Sequence, residues 1–224
     1  MNLAVGSSWR RCATVLAGVC VSLLCAATFA GSAHAASAIF ASTGTGTNPF
    51  AIAVDSAGNI YTANSGSNNV SKITPAGTST INWGPNGTEV TTGNLPVGIT
   101  VDSAGNVYTA NNGSSNVSKI TPDGTSTVNW GPNNAEVTTG RNPYGITVDS
   151  AGNIFTTNAG NVSKITPAGT STVNWGPNNA EVTTGSFPTG ITVDSAGNIY
   201  TINYFGDNVS KITPDGTSLS LIHI

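Results

Sequence analysis

Histidine and cysteine are missing from most of this chain, and their absence excludes several chemistries. Of 224 residues, two are histidine and three are cysteine. His34 lies close to the start and His223 is the penultimate residue, so residues 36–218 contain no imidazole to serve as a general base or metal ligand. Cys12, Cys20 and Cys25 all fall in one early apolar stretch. The rest of the chain therefore has no disulfide, thiol nucleophile or cysteine-held metal. Charge is scarce as well, at 8% of residues. Seven Lys and Arg, less Arg10 and Arg11, leave five against ten acids, a formal charge of −5 beyond residue 35. Without a basic cluster, no nucleic-acid partner is expected. Without a polybasic or amphipathic segment, the part after residue 35 is not expected to insert into a membrane. The inventory yields no catalytic residue, no cofactor and no metal site.

The two ends differ from the middle. Arg10-Arg11 precede an apolar run over residues 12–30, and Ala33-His34-Ala35 follows as a small-x-small site. Residues 1–35 thus read as a secretory signal peptide cleaved after Ala35, which predicts a secreted, extracellular or cell-envelope protein. Gly18, Ser22 and Thr28 interrupt the run, unlike a membrane anchor. The arginine pair leaves the twin-arginine route open beside the general one. At the other end, residues 219–224 read Leu-Ser-Leu-Ile-His-Ile and break a repeat partway through. This hexapeptide resembles a translated sequencing adapter, on which reading the chain is a fragment whose fourth repeat lacks its outer strand. A genuine strand is the alternative, since the alternation suits one.

Between these ends one motif is written four times, Pro-x-(Gly/Ala)-Ile-(Thr/Ala)-Val-Asp-Ser-Ala-Gly-Asn. It starts at Pro49, Pro96, Pro143 and Pro188, with spacings of 47, 47 and 45 residues. A fixed period of this size means one structural unit copied along the chain. In the second copy, residues 98–102 form a β-branched run, 103–106 a turn around Gly105, and 107–111 a second run. Residues 116–121 alternate as a third strand, Pro122-Asp123-Gly124 make a turn, and 125–130 read as a fourth strand. Four short antiparallel strands per unit, and no helical periodicity, predict an all-β chain. The expected fold is a β-propeller with about four blades present over residues 36–218, part of a ring of six or seven. Residues 40–48 match the linkers between blades and are expected to lie against the last blade of the ring.

Pro-x-Gly-Ile-Thr-Val-Asp-Ser-Ala-Gly-Asn-Ile-Tyr-Thr, followed by Asn-Val-Ser-Lys-Ile-Thr-Pro-x-Gly, resembles the NHL-type propeller repeat. It is most similar to the variant in streptogramin (virginiamycin B) lyase-like proteins. The resemblance covers Pro49 to Gly216 and implies the fold. It does not transfer an activity, because the family includes enzymes, sensor domains and interaction modules. The resemblance implies a histidine base with acidic metal-binding residues for the lyases. Residues 36–218 offer no matching histidine, so no catalytic residue carries over.

Residues repeated in every copy read as scaffold. Asp55, Asp102, Asp149 and Asp194 suit either a Ca²⁺-binding ring or acceptors inside their own turns, and the turn reading is preferred. Lys72, Lys119, Lys164 and Lys211 read as solvated outward positions. Trp83, Trp130 and Trp175 read as blade-edge packing and Glu89, Glu136 and Glu181 as linker surface. Asn69-Val70-Ser71 and its equivalents are glycosylation sequons by the letter only. Function is sought where copies differ. After the leading proline stand Phe50, Val97, Tyr144 and Thr189; before the last proline stands Phe187. The loops between second and third strands differ too, with two residues at 159–160 and Tyr204-Phe205 in the fourth copy. Phe50, Val97, Tyr144, Phe187, Thr189, Tyr204 and Phe205 are the candidate surface for a protein, peptide or glycan ligand. The expected role is an exported, non-catalytic binding scaffold. The alternatives are a lyase-like enzyme with catalytic residues in further blades, or the extracellular sensor of an anchored protein.

Overall fold

The computed structural model describes residues 44–221. The signal-peptide reading and the last three residues of the hexapeptide lie outside them. The described chain folds into four antiparallel sheets of four strands, each in sequential order. The first blade comprises β1 (Pro49–Val54), β2 (Ile60–Asn64), β3 (Asn69–Ile73) and β4 (Ser79–Thr80). The second comprises β5 (Pro96–Val101), β6 (Val107–Asn111), β7 (Asn116–Ile120) and β8 (Ser126–Thr127). In the third, β9 (Ile146–Val148), β10 (Ile154–Thr157), β11 (Val162–Ile165) and β12 (Ser171–Thr172) are shorter. The fourth comprises β13 (Pro188–Val193), β14 (Ile199–Asn203), β15 (Asn208–Ile212) and β16 (Ser218–Leu221). First strands lie against one another in series, β1 on β5, β5 on β9 and β9 on β13, while β13 does not pack on β1 in this way. The chain is therefore a β-propeller arc of four blades, with first strands inward and fourth strands outward. Among the described residues no helix is long and apolar enough to cross a membrane.

Each blade is held by its own turn chemistry. Asp55 Oδ1 accepts the amides of Ala57 and Asn59 at 2.9 and 2.8 Å, and its Oδ2 accepts from Asn59 Nδ2 at 2.8 Å and the Tyr61 hydroxyl at 3.0 Å. The same set recurs at Asp102 and Asp194. At Asp149 the tyrosine is replaced by Phe155, and only the backbone and asparagine bonds remain. Burial works against the charged form of Asp55, but the bonds from Asn59, Tyr61 and Ala57 outweigh it and hold the carboxyl below its ordinary range. Burial, then the bond to Asp55, pushes the Tyr61 hydroxyl well above its ordinary pKa. Each aspartate thus closes its own turn.

The core lies between blades. Tyr61, Ala63, Val70 and Val90 of the first blade and its linker pack on Ile99, Val107 and Ile120 of the second. Tyr108, Ala110, Val117 and Val137 meet Ile146, Ile154 and Ile165 in the next joint, and Phe155, Val162 and Val182 meet Ile199 and Ile212 in the last. Fully burying one such aliphatic side chain contributes about 1.5–3 kcal/mol, so the joints rather than single sheets hold the arc together. The linker straps neighbours together. Val90 exchanges backbone bonds with Val70 and Ile81, and Gly93 N then bonds to Ser118 Oγ of the next blade at 3.0 Å.

Three expectations need correction. The fourth strand of the second blade is only two residues long, because Asn129 N turns back to Thr127 Oγ1 at 2.9 Å and Trp130 Nε1 leaves to bond Val117 O at 3.0 Å. The fourth blade does have an outer strand: Leu219, Ser220 and Leu221 pair with Lys211, Ser210 and Val209, since an open β15 edge accepts any segment able to extend. Residues 44–48 hand over to the first blade. Gly46 N bonds Ser71 Oγ at 3.0 Å, just as Gly93 bonds Ser118, because every linker hands over to the blade that follows it. The glutamates are not idle surface. Asn69 Nδ2 donates to Glu89 at 2.6 Å, and Asn116 and Asn161 do the same to Glu136 and Glu181.

Candidate functional site

Variable residues from three blades meet on one face of the arc, where the loops between second and third strands lie. Main-chain bonds bring these loops to the residues before each proline: Asn112 N bonds Leu95 O at 2.8 Å, Ala159 N bonds Arg141 O at 2.9 Å, and Tyr204 N bonds Phe187 O at 3.0 Å. In the fourth blade this places three aromatic rings together. The Phe187 and Phe205 ring centroids lie 5.0 Å apart, Tyr204 and Phe205 5.0 Å, and Phe187 and Tyr204 6.4 Å. Tyr144 of the third blade joins them, 6.2 Å from Phe187, and Phe50 of the first blade meets Tyr144 edge-on at 5.7 Å. Tilted and edge-to-face pairs at these spacings are the arrangements aromatic quadrupoles favour. The cluster remains open to solvent: Tyr204 is 67% and Phe205 68% exposed.

A cavity of about 230 Å³ opens between Tyr144 and Phe187, lined also by Asn112, Asn142, Asn158, Ala159 and Pro188. Its origin is visible in the repeat spacing. The other blades place four residues between the paired asparagines, as between Asn111 and Asn116; the third has only Ala159 and Gly160 between Asn158 and Asn161. The shortened loop keeps the internal bond, Asn158 Nδ2 to Asn161 Oδ1 at 2.7 Å, and leaves Ala159 where a longer loop would stand.

The backbone presents Phe187 at a cost. The residue before each proline is left-handed, with φ of 51° at Asn48, 54° at Leu95, 51° at Asn142 and 53° at Phe187. Asparagine tolerates this region, whereas a bulky side chain there costs on the order of 1–2 kcal/mol. Phe187 nevertheless keeps its ring 46% exposed there. Thr189 is half-buried at the joint between third and fourth blades, and its carbonyl accepts from Thr157 Oγ1 at 3.3 Å. Val97 departs from the expectation. It sits at the bulge between Pro96 and Gly98 and is only 7% exposed, so it is packing rather than ligand surface.

The conserved-looking positions are used internally. Lys72 Nζ lies 5.7 Å from the Tyr61 ring centre and 5.3 Å from that of Trp83, and Lys119 and Lys164 sit over the corresponding pairs. These lysines are thus cation–π partners rather than solvated charges. The tryptophans pack at the blade edge as expected, each indole N–H bonding a third-strand carbonyl at 3.0 Å. The sequon asparagines Asn69 and Asn116 are 1% and 3% exposed, so they are hydrogen-bond hubs rather than glycosylation acceptors.

The fold defines a class of protein, the β-propellers built from four-stranded blades. Within that class the chain is similar to a streptogramin B lyase, at 21% identity and a TM-score of 0.58 over 78% of this chain and 54% of the lyase. It is similar also to a catalytically inactive variant of virginiamycin B lyase from Staphylococcus aureus with quinupristin, at 24% identity and a TM-score of 0.61 over 78% of this chain and 55% of that one. Kuenenia stuttgartiensis hydrazine synthase is similar at 16% identity and a TM-score of 0.56, over 80% of this chain and 51% of that one. At these identities the likeness is one of fold, and the chain spans about half the length of these structures. No family model matches the sequence, and no curated protein matches it.

Proposed function

We propose that this chain is an exported, non-catalytic binding scaffold that seats a protein, peptide or glycan ligand on its aromatic loop face. The observation that carries this reading is the convergence of Phe50, Tyr144, Phe187, Tyr204 and Phe205 from three blades into one aromatic cluster, two of whose rings, Tyr144 and Phe187, line a cavity. These residues vary from blade to blade while the rest of the repeat is copied. A scaffold that needed them only for folding would not hold two of the rings more than two-thirds exposed or set Phe187 in a left-handed backbone. Rigid aromatic rings beside the amides of Asn112 and Asn142 suit a ligand with one apolar or planar group flanked by hydrogen-bonding groups. The leader with Arg10-Arg11 and the Ala33-His34-Ala35 site supports export.

Peptide and glycan arrays probed with the purified chain test this reading. Wild type is expected to select one class of ligand, and Tyr204→Ser with Phe205→Ser is expected to weaken that binding at least tenfold while leaving the fold intact. Equal binding by the double variant, or no selective binding by wild type, would overturn it.

Lyase-like catalysis is the second reading, favoured by the likeness to two lyase structures. In the inactive lyase variant an alanine replaces a histidine, and residues 36–218 of this chain hold no histidine at all. Catalysis would therefore need groups from blades beyond these four. Incubation with quinupristin followed by mass spectrometry separates the readings: unchanged quinupristin is expected, and turnover would favour the enzyme.

A further inference from the structure

The cavity beside Tyr144 draws its lining from residues 112–188, on the second, third and fourth blades, and none of the lining residues is acidic or basic. Two of its asparagines keep hydrogen-bonding capacity unspent. Asn112 gives one side-chain N–H to Pro143 O at 3.1 Å, which leaves its second N–H and its carbonyl. At Asn142 only the main-chain amide has a partner among the described residues, Ser115 Oγ at 3.3 Å. The third, Asn158, is committed to Thr156, Asn161 and Ser163 of its own blade. Two aromatic rings dominate the apolar part, Tyr144 and Phe187, with centroids 6.2 Å apart and planes inclined at 56°. Rings this close leave no slot between them, so a bound ring would lie across their faces. At about 230 Å³ the cavity is smaller than the roughly 300–1,000 Å³ that drug-sized ligands occupy, and it seats one ring.

We propose that this cavity is the subsite for one uncharged sugar ring of a neutral glycan, an inference that rests on the binding-scaffold reading and names its ligand. A sugar ring has an apolar C–H face and a rim of hydroxyls. The electron-rich faces of Tyr144 and Phe187 attract the C–H face. The Asn112 and Asn142 amides each set a donor beside an acceptor, the complement of a hydroxyl that does both. Other ligands fit less well. An apolar peptide side chain would cover these amides without pairing them. A carboxylate, phosphate or ammonium group would enter a cavity that holds no opposite charge. Arg141, the one arginine among the described residues, lines a separate groove with Thr138 and Ser171. Room for the sugar comes from the shortened third loop, where Ala159 ends in a methyl group at the position Asn112 holds in the second blade.

NMR titration of the purified chain tests this, with methyl glycosides of neutral hexoses as probes. A methyl glucuronide, a methyl glucosaminide and short peptides bearing Phe or Leu are the controls. At least one neutral glycoside is expected to bind about tenfold or more tightly than any control. Two variants locate the binding. Phe187→Asn removes a ring and supplies the residue that the first and third blades carry at this left-handed position, so the fold is kept. Ala159-Gly160→Asn-Gly-Ser-Ser restores the second blade's loop and fills the cavity. Circular dichroism melting checks that both fold. Each is expected to weaken neutral-sugar binding about tenfold or more. Neither touches Tyr204 or Phe205, so binding by those exposed rings alone would survive both. No binding of any neutral glycoside, tighter binding of a control, or undiminished sugar binding by either folded variant would overturn the sugar subsite and leave the scaffold reading standing. No selective ligand of any class on the arrays would overturn that reading, and this inference with it.

Discussion

Gly124→Ala tests how one blade rests on the linker of the one before it. Gly124 stands at φ 86°, and a methyl group there would fall 2.5 Å from the Trp83 carbonyl oxygen and 2.6 Å from Gly84 Cα. Both are main-chain atoms of the preceding linker, so no side chain can swing aside. Gly105 in the same blade supplies the control: its φ is 82°, but the nearest atom to an added methyl is Pro122 Cγ at 3.5 Å, an ordinary contact. Gly105→Ala therefore bears only the left-handed backbone cost, about 1–2 kcal/mol. Gly124→Ala bears that and the overpacking of the joint, roughly a further 1–3 kcal/mol. In a chain of this size each kcal/mol lowers Tm by about 2–4 °C. Thermal melting followed by circular dichroism should then show a drop of roughly 2–8 °C for Gly105→Ala and a clearly larger one, about 4–20 °C, for Gly124→Ala. Equal drops would refute the claim that this glycine is required by the joint rather than by its own turn.

Three further outcomes follow from the same geometry. Leu95→Asn places in the second blade the residue that the first and third already use at the left-handed position, and should raise Tm by about 2–4 °C for roughly 1 kcal/mol of relieved strain; a fall would show that the Leu95 side chain contributes packing. Asn111→Ala removes a fully buried amide that donates to Asn116 and Ser118 and accepts from Thr109, and should cost about 2–4 kcal/mol in denaturant titration; a loss below about 1 kcal/mol would contradict the network's structural role. Acidification should destabilise the fold. Asp55, Asp123, Asp194 and Asp215 are held below the ordinary carboxylate range, so their stabilisation is complete above about pH 4 and lost as pH falls through their depressed values, and Tm should be level near neutrality and decline below roughly pH 4. A Tm that holds or rises down to about pH 2.5 would contradict this.

The repeat spacing and β-branched runs made the blades legible, because each strand and turn is specified within a few residues. The aromatic loop residues stood out for a similar reason: they vary where neighbouring copies agree. What the linker brings back to its own blade was harder to see. Glu89 is far from Asn69 in sequence, and neither residue type announces the bond between them. Lys72 sits on an alternating strand and reads as solvated until the linker returns Trp83 to its side. Val97 looks equivalent to Phe50 by position, yet it lies on a blade flanked on both sides while Phe50 stands on an end blade. The cavity beside Tyr144 left one trace, the two-residue shortening of the third period.

The strap between blades has a consequence for how such a chain can change. Every joint is assembled from nearly the same few residues, contributed once by each copy, with Phe155 in the third blade where Tyr61 and Tyr108 stand in the first two. Blade number is therefore an adjustable quantity. Recombination between copies this similar would add or delete whole units of 45 or 47 residues in frame, and each product would find its interfaces ready-made. The arc would lengthen or shorten in steps, like a ruler cut at its marks. Recognition, carried by the few unshared residues beside each proline, could diversify one copy at a time.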